Sequence, residues 1–182
     1  MEYACGARER IASFIVCPCK DGGVQTDFHS STIAGWREWV SLPGIGVPWI
    51  KAKLDTGARS SALHAFDVEE LRGDGVDLVR FRVRPWQKSE RDSVEVECPV
   101  HDRRLVRSSS GHSEERIVVL IEVELFGRTV MAETTLSNRD QMGFRMLIGR
   151  EALRQGFVVD PGESFLGGRA PRVIRRRNRG RE

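Results

Sequence analysis

The chain has 182 residues, 40% of them hydrophobic and 30% charged, which is enough apolar material for one ordinary core. Of the formal charge of +3, the last fourteen residues carry +6, from Arg169, Arg172, Arg175, Arg176, Arg177, Arg179 and Arg181 against Glu182, leaving −3 for residues 1–168. That balance excludes a basic folded domain and reads the tail as a solvated end with at most weak affinity for nucleic acid or anionic lipid.

No run approaches the ~20 apolar residues of a membrane-spanning helix. The cysteines, Cys5, Cys17, Cys19 and Cys98, form no Cys-x-x-Cys pair, so a disulfide framework or zinc ribbon is excluded. Residues 1–33 have no sustained period and are expected to be a poorly ordered extension. The apolar run 11–17 lacks a small-residue cleavage site, which makes a cytoplasmic protein without membrane contact the expectation.

From Gly35 the pattern changes. Residues 36–42 and 47–54 alternate in the period of a half-buried strand, and Pro43-Gly44-Ile45-Gly46 joins them as a hairpin that delivers Asp55 at its end. Residues 60–65 continue as a short strand or turn, and 67–71 are compatible with one helical turn. Strands are expected at 79–83 and 93–98, each ended by a proline, and at 104–107 and 116–124 around a small-residue tip, Ser108-Ser109-Ser110-Gly111-His112. Phe126-Gly127-Arg128 turns the chain into a strand at 129–136. A buried strand at 145–150 runs into a helix at 151–155, stopped by Gly156. The fold class is therefore mainly all-β, a closed barrel with one short C-terminal helix. The domain covers 34–160 and is followed by a basic disordered tail over 161–182.

Two motifs carry chemistry: Leu54-Asp55-Thr56-Gly57-Ala58 after the early strand and Leu147-Ile148-Gly149-Arg150 before the late helix. In this order they resemble the retropepsin-like aspartic peptidases over residues 35–158. The resemblance makes 108–111 a flap tip. Gly35-Trp36-Arg37-Glu38, the stretch from Lys53 to Ala65, Ser137-Asn138-Arg139-Asp140 and the stretch from Phe144 to Arg150 are similar to the bacterial group labelled ATP-dependent zinc protease. Members of that group are linked to oligoglutamate tails made by an ATP-grasp ligase. The label's own chemistry is absent from the residues. There is no His-Glu-x-x-His and no phosphate-binding Gly-x-x-x-x-Gly-Lys loop, so neither a metal nor another cofactor is expected.

The resemblance implies a water held between two carboxylates, one acting as base and the other, protonated, polarising the scissile carbonyl. With one Asp-Thr-Gly per chain, the second Asp55 must come from another subunit, so an enzyme of this type is a symmetric homodimer acting on peptide or isopeptide-like amides. Asp55, Thr56 and Gly57 are the expected catalytic residues. Ala58, Arg59, Ser109, Ser110, Gly111 and His112 are expected to contact substrate, with Gly149 and Arg150 supporting the site. Retroviral enzymes place an acid where this chain has Arg59. Two arrangements are open: Glu69, Glu70 or Glu151 neutralises Arg59 and Arg150, or Arg59 faces the cleft and favours acidic, oligoglutamate-like substrates. His64 reads as a packed residue. The competing readings are a non-catalytic peptide-binding module on the same fold, and a zinc protease with metal on Asp55, His64 and His112.

Overall fold

A computed structural model describes residues 31–72, 75–107 and 113–181. The extension expected over 1–33 lies, up to residue 30, outside the described residues, and so does the tip at 108–112. In chain order the elements are β1 (Thr32–Gly35), β2 (Arg37–Leu42), β3 (Val47–Asp55), β4 (Ser61–His64), β5 (Phe66–Arg72), β6 (Asp77–Val83) and β7 (Val94–Pro99). They continue with β8 (Asp102–Arg107), β9 (Ser113–Leu125), β10 (Arg128–Ser137), β11 (Met146–Gly149), α1 (Arg150–Leu153), β12 (Phe157–Asp160) and α2 (Arg172–Asn178).

The main sheet runs β10-β4-β11-β3-β2-β9-β8, and β10 also pairs with β9, so six strands close on themselves while β8 extends from β9. Closure removes the free edges that an open sheet would present. Alternation does what the sequence predicts: Ile50, Ala52 and Leu54 of β3 and Val119, Ile121, Val123 and Leu125 of β9 point into one buried core. Each of these valine, leucine and isoleucine side chains contributes about 1.5–3 kcal/mol on burial. β9 turns into β10 through Phe126 and Gly127, both at positive φ (55° and 70°), the conformation of a two-residue hairpin whose twist matches the strands.

Two expectations about local structure are corrected. Residues 67–71 form no helical turn; they belong to β5, which joins β6 and β7 in a separate three-stranded sheet. The acidic run is held extended by pairing of Glu69 with Arg80 and Glu70 with Val79, and by a 2.6 Å ion pair from Glu70 to Arg103. The helix expected at 151–155 is shorter, Arg150–Leu153, and is not alone. The chain after residue 160 is also ordered as far as it is described, with α2 standing where a disordered tail was expected.

The segment after β12 is fastened by the Gly-Trp-Arg-Glu stretch. Glu38 is fully buried, and its carboxylate accepts the backbone N–H groups of Gly35 (2.8 Å), Leu166 (2.9 Å) and Gly167 (3.2 Å). Arg37 donates to Ser164 Oγ and lies 4.5 Å from the Trp36 ring centroid and 5.2 Å from that of Phe165. Gly35 leaves no room for a side chain, because a Cβ there would stand 2.6 Å from the Glu163 carbonyl oxygen.

Glu38→Ala leaves three N–H groups without their acceptor, and urea unfolding is expected to show a loss of about 3 kcal/mol, at ~1 kcal/mol per buried donor. Gly149→Ala is a second test of close packing. Its Cβ would meet the Ser60 carbonyl oxygen at 2.4 Å, and a loss of about 1–3 kcal/mol is expected in the same assay.

Candidate active site

β3 and β11 run parallel, with Ala52, Lys53, Leu54 and Asp55 in register with Met146, Leu147, Ile148 and Gly149, so Asp55 and Gly149 end neighbouring strands side by side. The chain leaving Asp55 loops through Thr56 to Ser60 and returns as β4, antiparallel to β11. Gly149 donates its N–H to Ser61 Oγ (3.1 Å), Arg150 N–H donates to the Ala58 carbonyl (2.8 Å) and Glu151 N–H to the Arg59 carbonyl (3.1 Å). The first N–H groups of α1, which have no partner inside the helix, are thus used to clamp the loop. The Arg150 guanidinium adds a hydrogen bond to the Thr56 carbonyl (3.1 Å).

Within that loop Asp55 Oδ1 accepts the N–H groups of Gly57 (3.1 Å) and Ala58 (3.3 Å), and Oδ2 is 3.0 Å from Lys53 Nζ. Partial burial pushes the Asp55 carboxyl up, but the hydrogen bond and charge of Lys53, with the two N–H groups, outweigh it and hold the pKa below the ordinary value. An ionised carboxylate is the form that accepts a proton from water. Thr56 and Gly57 are exposed.

The structure therefore brings together Asp55, Thr56, Gly57, Ala58, Gly149 and Arg150. Ser109, Ser110, Gly111 and His112 lie outside the described residues. Arg59 is exposed, while Glu70 is engaged by Arg103 and Glu151 by Arg154, so these two acids are committed elsewhere. Sequence reasoning missed two residues. Lys53 was visible as a partner, because positions two apart on a strand share a face. Arg139, buried, donates Nε to the Phe144 carbonyl (3.1 Å); its pKa is lowered by burial and by Arg116 and pushed back by the charge of Asp55. No local pattern announces that proximity, which the fold creates.

His64 is packed, as expected. Its Nδ1 accepts the Arg139 N–H (2.9 Å), its Nε2 faces Asp140 Oδ1 at 3.2 Å, and its ring stacks on Phe66. Burial lowers its pKa despite the Asp140 charge, so the neutral ring carries its proton on Nε2. Neither nitrogen offers a lone pair to a metal, and among the described residues no His, Cys, Asp and Glu groups gather as ligands. Of the ligands the zinc reading names, His112 lies outside the described residues and His64, as held here, has no lone pair to offer.

A concavity of about 720 Å³ lies at the other end of β3. Trp39, Val47, Trp49 and Phe126 line it, together with Ser41 and Glu124, which hydrogen-bond each other. At ~3.3 Å per residue, the strand from Val47 to Asp55 separates it from the carboxylate by about 26 Å.

Comparison with known proteins agrees with this geometry. Residues 33–170 match the RimB-like family, described as retropepsin-like aspartic endopeptidase RimB. The chain is 44% identical over 133 residues, 73% of its length, to a protein of Shewanella pealeana named "probable alpha-L-glutamate ligase". It is 43% identical over 129 residues to a protein of the same name from Desulfotalea psychrophila. Those stretches are 29% and 28% of the two relatives, so the match spans less than a third of their length. Among solved structures, Lpg0085 of Legionella pneumophila, titled as of unknown function, aligns with a TM-score of 0.65 and 27% identity over 76% of this chain and 99% of that one. The matched stretch contains both the Asp55 loop and the Gly149-Arg150 strand end, and the chain belongs to the RimB-like family of retropepsin-like proteins.

Proposed function

We propose that this protein is an aspartic peptidase that hydrolyses peptide or isopeptide-like amide bonds as a homodimer. The observation that carries the reading is the Asp55 carboxylate itself: ionised, partly open to solvent, and oriented by the Gly57 and Ala58 N–H groups at the end of a buried strand. One such carboxylate supplies the base. The acid that polarises the scissile carbonyl is the Asp55 of a second copy, because two carboxylates sharing a site cannot both stay ionised and one of them takes up the proton. Water attacks the carbonyl carbon, its proton passes to the ionised Asp55, and the protonated Asp55 donates to the carbonyl oxygen. Collapse of the tetrahedral species breaks the C–N bond, with the amine leaving protonated.

The substrate we favour is acidic. Arg59 and Arg150 are exposed beside the loop, and Lys53 and Arg139 add positive charge around Asp55. An extended glutamate-rich chain complements that field. The relatives' name, an α-L-glutamate ligase, supports the same class, since a ligase of that name and a peptidase with this site would form and break amide bonds to glutamate.

Asp55→Asn is expected to abolish cleavage of a fluorogenic oligoglutamate peptide, by 10²-fold or more, with chelator leaving the wild type unaffected. Protomers of the two kinds mixed and reassociated should give dimers as inactive as the variant. A mixed dimer with half the wild-type rate would remove the shared dyad, and chelator-sensitive activity would remove the aspartic mechanism. Lys53→Met tests the proton balance. The Asp55 pKa is depressed in the folded protein, so the charge-dependent benefit is present above the ordinary carboxylate pKa and lost as pH falls through the depressed one. Without Lys53 that pKa rises, and the acid limb of the kcat/KM profile is expected to move to higher pH.

A further inference from the structure

The family match ends at residue 170, and α2 begins at Arg172, so the arginine-rich element is an addition to the matched domain. It is anchored to that domain. Ala170 is buried, Asn178 is buried with its Oδ1 accepting the Gln87 N–H (2.9 Å), and the Asn178 carbonyl accepts the Lys88 N–H (3.2 Å). Arg177 pairs with Asp92 at 2.8 Å. Gly180 packs so closely on Lys88 that a Cβ would stand 2.7 Å from its carbonyl oxygen. A backbone held this way needs no ordering when a ligand arrives.

What the anchoring presents is concave and cationic. A hollow of about 440 Å³ is lined by Arg172, Arg175, Arg176, Arg179 and Arg181, with no acid among them. A second, of about 330 Å³, is lined by Arg91, Val173, Arg176, Arg177 and Arg181. Arg175 has its Nε buried without an acceptor. The field continues onto the barrel: burial lowers the Lys51 pKa, and so do the charges of Arg37, Arg179 and Lys88. Like charges gathered in one hollow repel one another, and an anion seated among them relieves that repulsion.

We propose that the α2 face binds the phosphodiester backbone of a nucleic acid, with Arg172, Arg176 and Arg179 as its principal phosphate contacts. The cations of α2 are all arginines, whose planar fork matches two phosphate oxygens where an ammonium offers a point charge. Val173, 65% exposed, is the large apolar side chain α2 offers to solvent. That is too little apolar area to enter a bilayer or to form the dry centre of a protein interface. The phosphodiester could belong to RNA or DNA, and the experiment separates them. The inference does not depend on peptidase activity.

The test is fluorescence anisotropy of the full chain with labelled single-stranded RNA and duplex DNA, each of about 20 nucleotides or base pairs, between about 50 and 200 mM salt. Phosphatidylcholine vesicles containing about one quarter phosphatidylserine serve as the competing surface. Expected is binding to one or both nucleic acids that weakens with salt. R172Q/R176Q/R179Q should lower the affinity at least tenfold at the lowest salt and reduce the single-strand salt slope by about 2, at ~0.7 per lost contact. R172K/R176K/R179K, which keeps the charge, should keep the slope and so separate loss of contacts from loss of fold. No binding to either nucleic acid, an unchanged slope in the glutamine variant, or tighter binding to vesicles than to nucleic acid would overturn the assignment.

Discussion

The chemistry of this protein depends on one close approach, that of Gly149 to the backbone of Arg59 and Ser60. A Cβ at 149 would lie 2.4 Å from the Ser60 carbonyl oxygen, so only glycine lets β11 end flush against the loop that leaves Asp55. Once there, the first N–H groups of α1 reach the Ala58 and Arg59 carbonyls, and the Arg150 guanidinium reaches that of Thr56. The loop is then fixed on its outer side. Its inner N–H groups, from Gly57 and Ala58, have one acceptor to turn to, Asp55 Oδ1. The orientation of the carboxylate follows from packing at the end of the neighbouring strand.

This explains which parts of the structure were legible in the sequence. Asp55 could be placed at a strand end because Lys51 and Lys53 alternate with Ile50, Ala52 and Leu54, and the burial of β3 follows that alternation. The closed barrel followed from many short alternating segments. The acidic run at 67–71 was misread because its charges look like a solvated helical turn. What holds it extended is cross-strand pairing with β6 and the Arg103 bridge from β8, whose partners are distant in sequence. The role of Glu38 was illegible for a similar reason. Two of its three donors come from Leu166 and Gly167, in a stretch that by composition reads as loop.

The tail shows the same limit from the other side. Seven arginines in the last fourteen residues read as a segment unable to bury enough to fold. Ordering comes instead from small, specific contacts: a buried asparagine, a buried alanine and a glycine against the Lys88 backbone. Composition averages over residues, and α2 is held by three that the average hides. Charge run and ordered surface are therefore compatible, and the burial of Asn178 distinguishes them.

The charge state of Asp55 finally constrains how a single copy can act. A carboxylate paired with Lys53 and holding two N–H groups is stabilised in its ionised form, which suits a base and disfavours an acid. The same protomer cannot supply both forms from one group. The pressure that would protonate Asp55 must come from outside, and a second carboxylate brought against the first has the right sign. It repels the ionised form and competes with neither the Gly57 nor the Ala58 donor, since both already sit on Oδ1. Oδ2, which Lys53 approaches at 3.0 Å, is the oxygen left to face a partner's carboxyl. In the proposed dyad the lysine would stay beside Oδ2 and keep the base ionised while the other carboxyl takes up the shared proton.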